Sequence, residues 1–130
     1  MVTDKAHQKR NFFRLDVMLP VKYRKFTGDP VFDGIVSLGR TLNLSSGGMI
    51  LTVPNNLIVG TKLDMEVELP KNQKLYLVGK VLGGETQVFG GVERRMEKIA
   101  FVEVDDDTKD QIMKFILNEQ RKIQRKEKRS

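Results

Sequence analysis

Leu15, Val17, Leu19, Val21 and Tyr23 recur at every second residue, and Leu63, Met65, Val67 and Leu69 repeat the pattern between Gly60 and Pro70. A period of two belongs to strands that bury one face. Pro20 falls inside the first run; lacking an N–H, it places that strand at a sheet edge or at a bulge. Further strands are expected near 35–44, 48–53, 75–82 and 92–103, with Gly83-Gly84 and Gly90-Gly91 as the punctuation around a connection. Asp64, Glu66 and Glu68 occupy the alternate positions of the second run, where water-facing, solubilising side chains are expected. Many short strands with glycine-rich turns point to an all-β sandwich or barrel rather than a βαβ fold.

The period changes near the end. Asp105, Asp106 and Asp107 precede Thr108, with Gln111 three residues further on, an arrangement that caps a helix and sets negative charge at its positive end. Ile112, Phe115 and Ile116 then share one helical face, with Met113 and Leu117 beside it. The stripe nearly stops after Leu117, leaving Ile123 among Arg121, Lys122, Arg125, Lys126, Lys128 and Arg129. A helix lying on the barrel and ending in a solvated, fraying basic tail is expected.

Composition narrows the chemistry. With 130 residues, 39% hydrophobic and 31% charged, the chain suits one globular domain. It has no Cys, and its one His, His7, lies in a polar stretch, so disulfides, thiolate metal sites and a His-dependent catalytic site are not expected. No nucleophile–base pair, P-loop or dinucleotide fingerprint occurs, and no enzyme activity is expected. Residues 1–10 have no apolar h-region and no run of about 18 apolar residues occurs anywhere, so a soluble, cytoplasmic protein without membrane insertion is expected. The net charge of +6 sits at the ends: residues 1–14 hold four basic and one acidic residue, residues 121–130 six and one, and the body between them 13 and 15. The front cluster of Lys9, Arg10 and Arg14 offers positive potential to an anionic ligand.

Two short strings carry the rest. Arg10-Asn11-Phe12-Phe13-Arg14 is an arginine pair spaced RxxxR, and Asn43-Leu44-Ser45-Ser46-Gly47-Gly48 follows the pattern [D/N]xSxxG. Read singly, the first is ordinary in a chain with 23 Lys and Arg, and the second is an ordinary turn. Together, in this order, the chain resembles the PilZ domain family, bacterial receptors for the second messenger cyclic di-GMP. Leu15 to Tyr23 is similar to that family's first strand, Gly39 to Val53 to its motif strand pair, and Ile99 to Phe101 to its late strand.

The resemblance implies a six- to seven-stranded antiparallel β-barrel with a C-terminal α-helix. It divides the chain into a flexible tail (1–8), the domain (9–118) and a basic helical or frayed tail (119–130). It also implies a ligand, cyclic di-GMP, with no metal and no other cofactor. That ligand presents two phosphodiester anions and two guanines, each with N7 and O6 as adjacent acceptors. Arg10 and Arg14 can grip such an edge or a phosphate bidentately and can stack on a base. Asn43 can address a guanine with its amide, and the Ser45 hydroxyl can donate or accept at a base or phosphate. Gly48 can turn with positive φ and approach the ligand closely. By resemblance, Lys9 is a selector of stoichiometry, a basic residue there accompanying an intercalated pair of ligands. The implied mechanism is a receptor whose amino-terminal segment is ordered by ligand bridging it to the barrel, and whose changed surface signals to a protein partner. Motility, secretion or polysaccharide machinery all fit as that partner. Two other readings remain: a PilZ-like adaptor with little nucleotide binding, and a nucleic-acid-binding barrel. The last would need aromatic stacking platforms, whereas the chain has no Trp and two Tyr, and its Phe residues fall mostly where a core would use them. No DNA or RNA partner is expected.

Overall fold

A computed structural model describes residues 14–27 and 35–129. Seven strands form one antiparallel sheet: β1 (Arg14–Leu15), β2 (Pro20–Lys25), β3 (Ser37–Ser45), β4 (Gly48–Val53), β5 (Lys62–Leu69), β6 (Gln73–Phe89) and β7 (Val92–Val102). A single helix, α1 (Asp106–Arg129), follows among the described residues. The order is β1-β3-β2-β5-β6-β7-β4, and β4 pairs back onto β3. Six strands thus close a barrel, and β1 adds a seventh at the far end of β3. Closure leaves one enclosed interior, filled by the apolar half of each strand's alternation. Leu44, Leu51, Val53, Met65, Val67 and Val81 are fully buried there.

The core is aliphatic, with Tyr23 as its one buried aromatic among the described residues. Of the phenylalanines expected mostly at core positions, Phe12, Phe13 and Phe32 lie outside the described residues. Phe26 and Phe89 are exposed, and Phe101 and Phe115 only pack against the edge of the core. A narrow six-stranded interior is filled mainly by aliphatic chains meeting from both sides.

The run from Leu15 to Tyr23 is two strands rather than one. The chain leaves the ladder over residues 16–19 and re-enters it at Pro20, the first residue of β2. The buried Thr41 plugs this break. Its hydroxyl accepts the Leu19 N–H at 2.9 Å and donates to the Val17 carbonyl at 2.6 Å, while its own N–H donates to the Leu19 carbonyl at 2.9 Å. The backbone groups freed by the break are therefore satisfied locally, as burial requires.

Gly83-Gly84 lies inside a strand, and only Gly90-Gly91 forms the turn of the long β6–β7 hairpin. At Gly83 the register of that hairpin shifts with φ at +142°, a bulge conformation that glycine adopts without strain. A Cβ on Gly84 would collide with the Met96 carbonyl.

The expectation that Asp64 and Glu66 face water is also corrected. Both are buried, and only Glu68 of the three is exposed. Asp64 accepts from Arg24 Nε at 3.4 Å and from the Thr27 N–H at 3.1 Å. Glu66 holds Lys74 Nζ at 3.1 Å, and its hydrogen bond raises the Lys74 ammonium above its ordinary range. They do lie on the outer face, but long neighbouring side chains and the segment after β2 cover them. Glu97, fully buried on β7, accepts Arg95 Nε at 3.1 Å and the Leu57 N–H at 3.4 Å, tying the β4–β5 connection to the barrel.

Asp105, rather than Thr108, caps α1: its Oδ1 accepts the Thr108 N–H at 2.7 Å. Hydrogen bonds from Thr108 hold the Asp105 carboxyl below its ordinary value. Ile112 and Ile116 are fully buried against the barrel, and Phe115 packs beside them. Beyond Leu117 the helix continues without a break to Arg129, so the basic segment is a helical extension, with Ile123 half exposed.

Candidate functional site

Arg14 and Ser45 are direct cross-strand partners, because β1 pairs Arg14 with Ser45 and Leu15 with Leu44. Leu15 and Leu44 point inward and are buried, so Arg14 and Ser45 point outward. The second arginine of RxxxR and the serine of the second motif therefore meet on one outer face. Arg10 and Lys9, the other two residues expected from the amino-terminal string, lie outside the described residues.

Asn43 joins that face through a bulge. The β3–β4 register shifts between Thr41 and Asn43, so Thr41 opposes Leu51 while Asn43 opposes Ile50. Without the extra residue, Thr41 and Asn43 would share a face. With it, Thr41 and Leu44 turn inward, and Asn43 stands on the outer face beside Ser45. The Asn43 Oδ1 accepts the Ile50 N–H at 3.1 Å, leaving its amide NH₂ as the group able to address a base.

Ser45 builds the β3–β4 turn. Its Oγ accepts the Gly47 and Gly48 N–H groups at 3.3 and 3.2 Å and donates to the Gly48 carbonyl at 3.2 Å. The Gly47 carbonyl in turn accepts the Phe101 N–H at 2.9 Å, binding the turn to β7. Gly48 departs from expectation. Its φ is not positive; it lies in β4, where a Cβ would collide with the Ile99 carbonyl. The glycine is required by the closeness of β7, and the same lack of a side chain keeps the surface low beside Ser45.

The sequence held no signal for Gln120. From α1, its Nε2 donates to the Arg14 carbonyl at 3.2 Å, joining the helix to the strand that carries the motif arginine. Two clefts among the described residues lie elsewhere. One of about 430 Å³ contains Leu38, Arg40, Glu66 and Arg94, and another of about 340 Å³ lies between Lys71 and the basic end of α1 at Arg121 and Arg125. Arg14 and Ser45 instead stand on the outer barrel wall, exposed and half-buried respectively, with Asn43 beside them 8% exposed. No cluster able to hold a metal occurs among the described residues, and none of their helices is long and apolar enough to cross a membrane.

A closed six-stranded antiparallel barrel with an added edge strand, a capping helix, and Arg14 set against an NxSxxG turn defines a PilZ-type domain. The PilZ domain profile matches residues 8–118, and the chain belongs to the PilZ family. It is similar to the PilZ domain with c-di-GMP of YcgR from Escherichia coli, at 16% identity and a TM-score of 0.67, over 91% of this chain and 96% of that one. The structure of YcgR in complex with c-di-GMP aligns at 17% identity and a TM-score of 0.71, over 90% of this chain but only 48% of that one. The K. pneumonia MrkH-c-di-GMP complex aligns at 15% identity and a TM-score of 0.71, over 87% of this chain and 52% of that one. The chain thus spans about half the length of the larger YcgR and MrkH chains. No curated protein matches it.

Proposed function

We propose that the protein is a cytoplasmic cyclic di-GMP receptor with Arg10, Arg14, Asn43, Ser45 and Gly48 as its ligand-binding residues and Lys9 at the rim. The observation that carries this reading is the Arg14–Ser45 pairing on one outer face, with Asn43 turned onto the same face by the bulge. The solved c-di-GMP complexes of YcgR and MrkH support it by likeness of fold. Arg14 supplies the planar fork that holds a phosphate or the N7/O6 edge of a guanine. The Asn43 amino group supplies a neutral hydrogen bond beside it, and the Ser45 hydroxyl shapes the turn on which the ligand rests.

Binding is the output, not catalysis. Ligand held by Arg10 and Arg14 changes the surface that β1 and the adjoining part of α1 around Gln120 present. Gln120, bonded to the Arg14 carbonyl, is the contact through which a shift of β1 reaches the helix. A protein partner reads that altered surface, and nucleic acid is not part of this reading.

Base identity tests the reading. Adenine carries an amino donor where guanine has O6, so an arginine fork on that edge meets a donor instead of an acceptor. Cyclic di-AMP is expected to compete at least about fivefold less well than cyclic di-GMP, the scale of about 1–3 kcal/mol per bidentate contact. A competition assay with labelled cyclic di-GMP reads this directly. Equal competition would mean that phosphate alone is recognised.

A further inference from the structure

The row of residues that begins with Arg14 and Ser45 continues past Gly48. Gly48 pairs with Ala100 of β7, and Ala100 pairs with Lys80 of β6. Read across β1, β3, β4, β7 and β6, the outer face runs Arg14, Ser45, Gly48, Ala100, Lys80. One step along the strands, Asn43 pairs with Ile50 and Ile50 with Lys98. Met49 and Ile99 are buried inside the barrel, so Gly48 and Ala100 face outward by alternation. The Gly48–Ala100 row therefore carries nothing larger than a methyl group, with Ile50 standing beside it between Asn43 and Lys98. Arg14 and Ser45 stand at one rim, and Lys80 and Lys98 at the other.

Both lysines are exposed, and among the described residues neither takes part in a salt bridge. The β6 neighbour of Lys98 is Gly83, at the hairpin's register shift, which offers no side chain to cover the ammonium. Strands lie about 4.8 Å apart, so two strand steps separate Gly48 from Lys80, and Asn43 from Lys98, by about 10 Å. The flexible four-carbon arm of a lysine can lean back over most of that distance.

Cyclic di-GMP has the matching chemistry. Its two phosphodiesters lie on opposite sides of the macrocycle, so a face with cations at one rim alone leaves one anion without a partner. Resting on the receptor reading above, we propose that Lys80 and Lys98 form a second phosphate subsite. It takes the phosphodiester that lies away from the arginines, with the macrocycle seated over Gly48 and Ala100. Lysine suits this rim because a phosphate needs only a point charge, whereas the guanine edge needs the fork.

Cyclic di-GMP is titrated calorimetrically, at two salt concentrations, into the parent chain, Lys80→Gln, Lys98→Gln, the double variant, and Lys114→Gln on the exposed side of α1 as a control. The expected result is weaker binding in each single variant and at least about tenfold weaker binding in the double variant, the scale of one charge-assisted hydrogen bond. The double variant should also show a shallower salt dependence, and the control should match the parent. A parent that binds, with a double variant of equal affinity and equal salt dependence, overturns the second subsite alone. A parent that does not bind cyclic di-GMP overturns the receptor reading and the subsite with it.

Discussion

Arg14→Ala is expected to weaken cyclic di-GMP binding by about 10- to 150-fold with the fold intact. A hydrogen bond to a charged group contributes about 1.5–3 kcal/mol, and each 1.4 kcal/mol is about a factor of ten in affinity. The side chain is exposed, so its removal leaves no cavity. The strand pairing of β1 uses backbone groups that alanine keeps, including the carbonyl that accepts from Gln120. Arg10→Ala is expected to have an effect of the same order. Asn43→Ala should differ in kind. It weakens binding less, but it strips the Ile50 N–H of its acceptor at the bulge and lowers stability as well. Calorimetry paired with denaturant unfolding separates the two classes. Parent-like titration by the double arginine variant would show the site to be elsewhere.

Ile116→Ala should lower the free energy of unfolding by about 2–5 kcal/mol, the range for truncating a fully buried isoleucine. Ile112 and Ile116 are both fully buried, and with Phe115 they are the apolar anchors of α1 on the barrel. Loss of one leaves a void on the side where α1 packs against β1 and β3, the strands that carry Arg14 and Ser45. Ile123→Ala, on the half-exposed basic extension, should fall within about 0.5 kcal/mol of the parent. Urea unfolding of the two variants reads the contrast, and equal losses would mean that the helix is anchored along its whole length.

Much of this fold is legible in the sequence because a barrel wall imposes a strict alternation. The inward positions of β2 and β5 can be read directly from Val21 and Tyr23 and from Leu63 to Leu69. The start of α1 is legible from the aspartates, whereas the decline of the apolar stripe after Leu117 marks where the helix leaves the barrel and not where it ends. What alternation cannot convey is where it is interrupted. The break before Pro20, the bulge between Thr41 and Asn43, and the register shift at Gly83 each depend on which strand lies alongside, a tertiary fact. For the same reason Gly83-Gly84 resembles a turn in sequence yet sits in a strand.

The site shows the same division. Residue types and spacing identify Asn43, Ser45, Gly48 and Arg14 as candidates, but not what each does. In the structure Ser45 and the Asn43 carbonyl oxygen are occupied in building the turn and the bulge. Gly48 serves a close approach to Ile99 instead of a positive φ. The carboxylates of Asp64 and Glu66 mislead because an outward position on a strand is exposed only when nothing long lies beside it, and Arg24 and Lys74 do. Lys80 and Lys98 come into the row only through pairings of β7 with β4 and β6, which no local pattern encodes.

The central claim is that this barrel face binds cyclic di-GMP, and one calorimetric titration of the parent chain tests it most directly. The account predicts saturable binding. With Lys9 preceding Arg10, it predicts two ligands per chain, the ratio falling towards one in Lys9→Leu. Two in the parent and one in the variant would support the selector role of Lys9, and one in both would remove that role while keeping the receptor. Absence of saturable binding by a folded parent chain would contradict the account itself.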